Sequence, residues 1–527
     1  MSFRPKYHAS VPSGWSNDPN GTIFYNGKAH LFFQHYPHKP EWGTMHWGHF
    51  ATKDFVHWEV LPVALVPDQE YEALCGCCSG SAIEKDGKLY LLYTAAQPEL
   101  QRQCLAVSED GGVSFVKAEN NPILTAPMLD DEVSELDFRD PHLFQKDGWF
   151  YFIAGARVLN EEEVAELRAA RAAGKDSETQ TASEPVNPSA WHADKPIRSP
   201  SAGDVSGADT ERAGYGNLIL CRSRDLLRWE YVGHLIHHQP EYDEAYYELN
   251  GVYECPDYLE LNGREVLLSS PQNLPRMGNL YQNVHSGLYM LGSLDFKSGR
   301  FRIDRIGEVD SGFDFYAAQT LRMPDGRAVM IAWKEMWDRN YPTQKEGWAG
   351  TYTFPRALRV EGDCLIQRPV RELDAFCRNR VFCSELSLSD AAGIVAGVCG
   401  NVIRLRFTLE AGTAKRAGVK VFVGEKHETV ISYDREAGIV EIDRSLSGLP
   451  FRGREENVTL RKCEVGSLPS IELELLLDVS TLEAFFDGGK HVMTANVYPD
   501  PKDLDVVFFA EGGSASFRDI EKYDVVV

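Results

Sequence analysis

The hydrophobic and polar positions of this chain predict short β-hairpins that recur at regular intervals. Each predicted hairpin joins two strands of alternating or aromatic-rich sequence through an Asn-Gly or Asp-Gly step, which is a strong short-range hairpin signal. The glycines of the five turns are Gly27, Gly87, Gly148, Gly263 and Gly326. Apart from one longer interval, their spacing is about 60 residues, and such a period indicates a repeat architecture.

Five equal all-β units predict a five-bladed β-propeller, because radial repetition closes the sheets without long exposed edges. We assign residues 1–355 to this domain. The third interval is longer by about 54 residues, owing to an insertion rich in Ala, Glu, Ser and Pro at 158–213. Asn160 and Glu163 form a capping-box pattern that predicts one helix from Glu161 to Ala173. The rest of the insertion has too few apolar residues to offset chain entropy, which favours a mobile surface excursion over a lid or a partner site.

The pattern changes after the fifth hairpin. Residues 356–379 are interpreted as a linker. From residue 380 the strands alternate regularly between apolar and polar positions, as they do from Ile403 to Glu410. Half-buried antiparallel strands in this number predict a β-sandwich over residues 380–527. The predicted fold is therefore all-β, with a five-bladed propeller followed by a C-terminal sandwich.

The composition narrows the choice of partners. The chain has 527 residues and a net charge of −24, from 54 basic and 78 acidic side chains. This charge argues against nucleic acid or an anionic membrane as a partner and favours a neutral small molecule. The start of the sequence, Met1 to Pro5, lacks an apolar signal region, and no apolar run approaches the roughly 20 residues of a spanning helix. We therefore expect a cytoplasmic protein, and leave open whether it forms a homo-oligomer.

The number and spacing of the cysteines favour reduced thiols over a framework of disulfide bonds. There are 11 of them, an odd number at irregular spacing. Cys75, Cys77 and Cys78 lie close together, but no second Cys or His pair stands at zinc-finger spacing. We predict neither a metal site nor a cofactor.

Three acidic residues occupy almost the same position in their repeats. Asp18 and Glu254 each lie nine residues before the turn glycine of their hairpin, and Asp140 lies eight before its own. The other two repeats have Cys78 or Ser79 and Ala317 or Ala318 there, so an acid is not a general feature of the blade. A proline follows each acid closely, at Pro19, Pro141 and Pro256. Pro19 restricts the backbone of Asp18, directly before it, to extended geometry. In a propeller, equivalent positions of the innermost strands meet at one end of the central channel. We therefore expect these three carboxyls to converge.

Converging carboxyls suit glycoside hydrolysis. Like charges cannot all ionise without cost, so at least one carboxyl should have a raised pKa and be able to donate a proton near neutrality. Two carboxyls that flank a glycosidic bond can serve as nucleophile and general acid/base, and a third can bind sugar hydroxyls. Aromatic and amide groups near the motifs offer the stacking faces and hydrogen bonds that neutral sugars need: Trp15, Gln34, Trp42, Phe315 and Trp333. Clustered acids can also serve metal-dependent hydrolysis. That chemistry requires His ligands at helical spacing, which the sequence lacks.

The motifs W-S-N-D-P-N-G (15–21), F-R-D-P (138–141) and E-C-P (254–256), in this order, resemble glycoside hydrolase family 32, the invertase, inulinase and levanase family. The similarity covers the whole chain except the insertion. It implies a retaining β-fructofuranosidase in which Asp18 is the nucleophile, Glu254 the acid/base and Asp140 a transition-state stabiliser oriented by Arg139. Substrate contacts are expected from Trp15, Asn17, Gln34, Trp42, Ser79, Arg139, Asp314 and Trp333.

The sequence departs from the family pattern at Ser16, where Met is more usual, and in the long insertion. Intracellular bacterial sucrose and sucrose 6-phosphate hydrolases are the most similar members, through the stretch from Tyr281 to Gly287. Two alternatives stay open: an inverting propeller glycosidase acting on arabinan or xylan, and a non-catalytic sugar-binding protein. The sequence does not decide between sucrose, sucrose 6-phosphate and short fructo-oligosaccharides.

Overall fold

The computed structural model describes residues 2–97, 100–172, 214–247, 249–337, 339–453 and 457–527. Its N-terminal part consists of five sheets of four or five strands, and its C-terminal part of one large folded sheet of ten strands. The predicted class, a five-bladed propeller followed by a β-sandwich, is confirmed. Within the described residues, no helix combines the length and the apolar composition that a membrane crossing requires.

The blades follow one another along the chain, each starting at its innermost strand. The first two comprise β1 (Gly14–Tyr25), β2 (Lys28–Tyr36), β3 (His46–Thr52) and β4 (Glu59–Leu65), then β5 (Gly76–Lys85), β6 (Lys88–Gln97), β7 (Leu100–Ser108), β8 (Val116–Lys117) and β9 (Leu124–Thr125). The third comprises β10 (Val133–Lys146), β11 (Trp149–Val158), β12 (Tyr215–Ser223) and β13 (Trp229–His234), with helix α1 (Glu161–Ala172) between its second and third strands. The fourth comprises β14 (Tyr253–Leu261), β15 (Arg264–Pro271), β16 (Leu288–Leu294) and β17 (Phe301–Glu308).

The fifth blade closes the ring. It comprises β18 (Tyr316–Arg322), β19 (Ala328–Trp333), β21 (Arg356–Glu361) and β22 (Cys364–Pro369), while the short β20 (Trp348–Ala349) pairs in parallel with the start of β1. The five innermost strands contact one another in order, and β18 returns to β1. Residues 356–369, assigned above to the linker, therefore form the two outer strands of this blade. Pro355 and Pro369 flank this short segment, which is why the sequence predicts a connector there.

The turn chemistry explains why the hairpins form. Asn26 and Gly27 both have positive φ, 46° and 76°, as a two-residue type I′ turn requires. The Asp86-Gly87, Asp147-Gly148 and Asn262-Gly263 steps share this conformation. Asn, Asp and Gly tolerate the left-handed region better than other residues, so these four steps set the register of their hairpins.

The start of the insertion also follows the prediction. The Asn160 Oδ1 atom accepts hydrogen bonds from the backbone N–H groups of Glu162 and Glu163, and a Glu163 Oε2 atom accepts from the Asn160 N–H at 2.8 Å. This capping box opens α1, which confirms the predicted helix to within one residue. The remainder of the predicted surface excursion, 173–213, lies outside the described residues.

The C-terminal domain folds one sheet over on itself. Its strands are β23 (Cys377–Gly393), β24 (Val402–Glu410), β25 (Arg416–Val423), β26 (Glu428–Asp434), β27 (Ile439–Leu446), β28 (Leu460–Glu464), β29 (Ile471–Asp478), β30 (Thr481–Phe486), β31 (His491–Asn496) and β32 (Asp505–Val525). The first half of the long β32 pairs with β25 and its second half with β24. The two layers that result enclose one hydrophobic core.

A buried ion network joins the two domains. Arg356 of the fifth blade reaches Glu483 of β30 at 2.6 Å and Asp310 at 3.0 Å, and all three side chains are fully buried. Arg356 also donates to the Thr494 Oγ1 atom at 2.6 Å. His8 lies between Asp478 and Glu483, so the N-terminal segment that leads into β1 is held by the sandwich. The sandwich therefore helps to position the strand that carries Asp18.

We expect the Glu483→Gln substitution to lower the free energy of unfolding by about 3 kcal/mol at pH 7, since it removes one of the two carboxylates that pair with the buried Arg356 charge. Burial acts to raise the pKa of Glu483, but Arg356, His8 and Lys334 together outweigh it and lower that pKa to about 2. This contribution is therefore complete above pH 4.5 and is lost as the pH falls toward 2. Urea unfolding at pH 7 and pH 3 measures both effects, with the exposed Glu472→Gln substitution as control. A difference from wild type that does not shrink at pH 3 would contradict the assignment.

Candidate active site

A β-bulge interrupts every innermost strand at the same level of the channel. The register shifts in β1 between Ser16 and Pro19, in β5 between Cys78 and Gly80, in β10 between Arg139 and His142, in β14 between Glu254 and Asp257, and in β18 between Tyr316 and Gln319. Bulges turn side chains away from the regular alternation of a strand and are frequent beside active sites. Here they direct residues from five blades toward one point.

The bulges also show that the three acids do not occupy equivalent positions in their strands. Arg139 and Glu254 are the last regularly paired residues before their bulges, whereas Asp140 and Cys255 lie inside them with φ of 61° and 45°. Glu254 is therefore the structural equivalent of Arg139, one residue before the position of Asp140. Positive φ is uncommon in residues other than glycine, so the backbone at both bulges is strained.

Asp18 is buried at the centre of the cluster. One carboxylate oxygen, Oδ2, accepts a hydrogen bond from the Ser79 hydroxyl at 2.8 Å, and the Cys255 thiol lies 3.6 Å from the same oxygen. The described residues offer no hydrogen-bond partner to its other oxygen, Oδ1. One oxygen of this carboxylate is thus held in place, and the other is buried without a partner among the described residues.

Asp140 lies on the other side of Cys255. Its Oδ2 atom accepts the backbone N–H of Cys255 at 3.1 Å and lies 3.7 Å from the thiol. The backbone N–H of Asp140 donates to the Thr94 hydroxyl at 3.0 Å, which holds the bulge. Cys255 thus contacts both Asp18 and Asp140, and Glu254 is the residue that precedes it.

Two neighbouring blades hold the Glu254 carboxylate. Arg139 donates to Oε1 from Nε at 3.0 Å and from Nη2 at 2.8 Å, and the Tyr316 hydroxyl donates to Oε2 at 2.6 Å. Charge-assisted hydrogen bonds of this kind fix both position and orientation. The structure therefore brings Asp18, Asp140 and Glu254 together, as the sequence predicts.

The cluster retains protons near neutrality. Burial, followed by the charge of Glu254, raises the pKa of Asp18 to about 6. The same two causes, in the same order, raise the pKa of Asp140 to about 7, against the opposing charge of Arg139. Because the carboxyls interact, they release their protons as a coupled group, and a pH–activity profile reports that group.

Three tryptophans pack against one another beside the segment that carries Asp18. The rings of Trp15 and Trp337 stack with centroids 6.0 Å apart, and Trp333 contacts both of them edge-on. The Trp15 indole N–H donates to the Asn17 side-chain oxygen at 2.8 Å, next to the acid. The indole nitrogen of Trp333 has no partner among the described residues. Trp15 and Trp333 are 4% and 0% exposed and form the buried layer of this group, and the half-buried Trp337 is its outer member.

Gln34, Trp42 and Asp314 have other surroundings. Gln34 donates to the Cys77 carbonyl at 3.0 Å, beside the second-blade bulge, and the half-buried Trp42 packs against the core that contains Trp15. Asp314 is fully buried between Arg339 at 2.7 Å and Arg444 at 2.6 Å, in a second ion network between the domains. No contact of Asp314 with the three acids is present in the described residues. Its contacts are structural, and its predicted role in substrate binding is left without support from geometry.

Two residues of the site were not predicted. Tyr316 holds Glu254, and Cys255 separates Asp18 from Asp140. Cys255 lies inside the E-C-P motif and Tyr316 lies two residues after Asp314, so the sequence marked both places without indicating the contacts that the two residues make. Counting back from the turn glycine puts Ala317 or Ala318 at the level of the acids, whereas the bulges align Tyr316 with Glu254, so the sequence alone does not identify Tyr316.

A five-bladed propeller that gathers three carboxyls at one end of its channel, beside an aromatic wall, has the fold and site of a glycoside hydrolase. The glycosyl hydrolases family 32 N-terminal domain matches residues 8–170 and 204–369, and the family 32 C-terminal domain matches residues 383–524. The chain belongs to glycoside hydrolase family 32.

The similarity to individual members extends over the whole chain. A sucrose-6-phosphate hydrolase of Zymomonas mobilis is 32% identical, over 98% of this chain and 91% of its own length. The structure of sucrose-6-phosphate hydrolase from Lactobacillus gasseri is 27% identical with a TM-score of 0.77, over 99% of this chain and 93% of that one. The structure of a family 32 β-fructofuranosidase from Bombyx mori is 29% identical with a TM-score of 0.73, over 99% and 94%.

Proposed function

We propose that this protein is a retaining β-fructofuranosidase that releases the terminal fructosyl unit of sucrose, sucrose 6-phosphate or a short fructo-oligosaccharide. The observation that carries the proposal is the buried cluster in which Asp18 has one unpartnered oxygen and Glu254 is held by Arg139 and Tyr316. Membership of family 32 and the names of the similar proteins support the fructoside as substrate.

In the first step Asp18 attacks the anomeric carbon of the fructosyl unit through its free oxygen. Ser79 holds the other oxygen at 2.8 Å, so the attacking one has a defined direction. Glu254 donates its proton to the glycosidic oxygen, and the bond to the leaving sugar breaks. Because burial and the charge of Glu254 raise the pKa of Asp18 to about 6, we expect protonation of the coupled carboxyls to give the activity an acid limb.

In the second step Glu254 removes a proton from water, which attacks the fructosyl-enzyme and releases fructose with retained configuration. Arg139 and Tyr316 keep the carboxyl in one position through both steps, although its charge changes. Asp140 binds fructosyl hydroxyls more strongly as the ring flattens toward the oxocarbenium ion, which is stabilisation specific to the transition state.

The aromatic wall completes the site. Trp15 and Trp333 form the buried layer behind the surface that would contact the sugar rings, while Asn17 lies between Trp15 and the nucleophile. Trp42 and Gln34 stay in the proposal as residues of the site's periphery. Cytoplasmic location and homo-oligomer formation stay predictions, which cell fractionation and light scattering would test.

The test is a product assay on sucrose, sucrose 6-phosphate, kestose and inulin. We expect fructose release with short substrates preferred over inulin, and proton NMR should detect the β-configured hemiketal first, before mutarotation. Faster fructose release from inulin than from sucrose would contradict the substrate size, and first release of the α-anomer would contradict retention. Absence of fructose from all four substrates would overturn the proposed function.

A further inference from the structure

A chain of buried ion pairs continues outward from Glu254 through the third blade. The third nitrogen of the Arg139 guanidinium, Nη1, donates to the Asp137 carboxylate at 2.7 Å, on the side away from Glu254. The other oxygen of Asp137 accepts from the Arg157 Nε atom at 3.1 Å. The side chains of Asp137 and Arg157 are 2% and 3% exposed, so both charges are almost completely removed from water.

Backbone carbonyls hold the outer end of this chain. Arg157 donates from Nη1 to the Gly214 carbonyl at 3.0 Å and from Nη2 to the Asn250 carbonyl at 2.7 Å. Gly214 is in turn tied to the capped start of α1, since its N–H donates to the Glu163 Oε1 atom at 2.8 Å. All three nitrogens of Arg157 are engaged, and its position is fixed by three separate segments.

A group of buried ion pairs such as this one adds little net stability to a fold. Buried ion pairs lose much of their attraction to desolvation, and apolar residues of similar volume are often as stable. What an apolar residue cannot do is orient a guanidinium. Because the fork of an arginine is planar and rigid, the Asp137 carboxylate on one edge of Arg139 fixes the direction of the edge that faces Glu254.

We propose that Asp137 and Arg157 are positioning residues for the acid/base Glu254: they orient Arg139 and set the net charge that the carboxyl cluster experiences. The inference rests on the proposed function, because it assigns these residues to the reaction given above. Neither residue contacts the substrate in this scheme, and both act through Arg139.

The charges give the inference a measurable signature. Two guanidiniums and one carboxylate leave one net positive charge beside the cluster. Among the described residues, the titratable groups beside Glu254 are Asp18, Asp140, Arg139 and Tyr316 on other innermost strands and Cys255 on its own strand, and the His285 ring packs on Tyr316. Asp137→Asn removes a negative charge without changing any of these groups, and Arg157→Gln removes a positive one. The two substitutions should therefore move the titration of the cluster in opposite directions.

The experiment measures kcat/KM for sucrose against pH in both variants and in the double variant. Asp137→Asn should move the limbs of the pH profile to lower pH, and Arg157→Gln should move them to higher pH. Each shift should be about one pH unit, as expected for one charge several ångströms away at an effective dielectric constant near 20. The double variant restores the net charge, so its limbs should return to the wild-type positions while kcat stays roughly tenfold lower, because Arg139 has lost its orienting partner. Arg157→Lys keeps the charge and loses the fork, so it should lower kcat without moving the limbs.

Matched controls come from the exposed pair Arg222 and Glu230 of the same blade, 2.9 Å apart, whose substitutions to Gln should change neither kcat nor the profile. Far-UV circular dichroism and thermal unfolding select the variants that fold. If a single variant does not fold, the double variant and Arg157→Lys decide the question. Limbs that move in the same direction, or that stay in place in folded variants, would overturn the inference. Absence of fructosidase activity in the wild-type protein would instead overturn the proposed function.

Discussion

The Asp18→Asn variant is expected to lose sucrose hydrolysis by a factor of roughly 10⁴ or more, the scale on which removal of a covalent nucleophile acts. An amide has nearly the shape of the carboxylate, so the hydrogen bond from Ser79 and the contact with Cys255 can be kept while nucleophilicity is lost. In the wild-type protein, rapid quenching with a fast fructosyl donor should add one fructosyl mass to the peptide that contains Asp18. The variant should show no such increment.

The same substitution should stabilise the folded protein. Because burial raises the pKa of Asp18 to about 6, the folded state disfavours a charge that the unfolded chain carries above about pH 4. The gain in melting temperature should therefore be absent below pH 4, grow as the pH rises to 6 and remain constant above it. Asp147→Asn, at a hairpin turn where other blades already have Asn, serves as control for both measurements. Normal turnover by Asp18→Asn would remove Asp18 from the chemistry.

Local signals account for the parts of the fold that the sequence predicted. The turn steps Asn26-Gly27, Asp86-Gly87 and Asn262-Gly263 require positive φ, and only a few residue types adopt it readily, so the hairpins and their period could be identified by inspection. The capping box at Asn160 is equally local. Convergence of the acids followed from the repeat, because equivalent positions of successive blades meet at the channel.

Long-range contacts account for what the sequence did not predict. A bulge displaces the register by one residue, and nothing local distinguishes Glu254, which lies before its bulge, from Asp140, which lies within one. Asp314 occurs in a motif close to the site, yet its two arginine partners come from residue 339 and from the sandwich. The sequence predicts a linker where strands β21 and β22 lie, because their place in the fifth blade depends on the pairing of β21 with β19, across a connection of more than twenty residues.

The Glu254→Ala variant should separate the two steps of the proposed mechanism. Sucrose hydrolysis needs a proton on the leaving sugar, so we expect kcat/KM for sucrose to fall by roughly 10³-fold, within the range that general acid catalysis supplies. A fructosyl donor whose leaving group needs no proton should restore the first step. The second step still lacks its base, so the fructosyl-enzyme should accumulate on Asp18 and appear as a mass increment.

Added azide then distinguishes the retaining mechanism from its alternatives. Azide needs no general base, and the space left by the Glu254 side chain, between Arg139 and Tyr316, places two hydrogen-bond donors beside it. Turnover of the activated donor should recover with azide concentration and yield β-fructosyl azide, because two displacements at the anomeric carbon retain its configuration. Asp140→Ala, which lacks a different carboxyl of the same cluster, is the matched control and should show no azide rescue. An α-configured azide product would indicate a single inverting displacement, and near-normal sucrose hydrolysis by Glu254→Ala would exclude Glu254 as the acid/base.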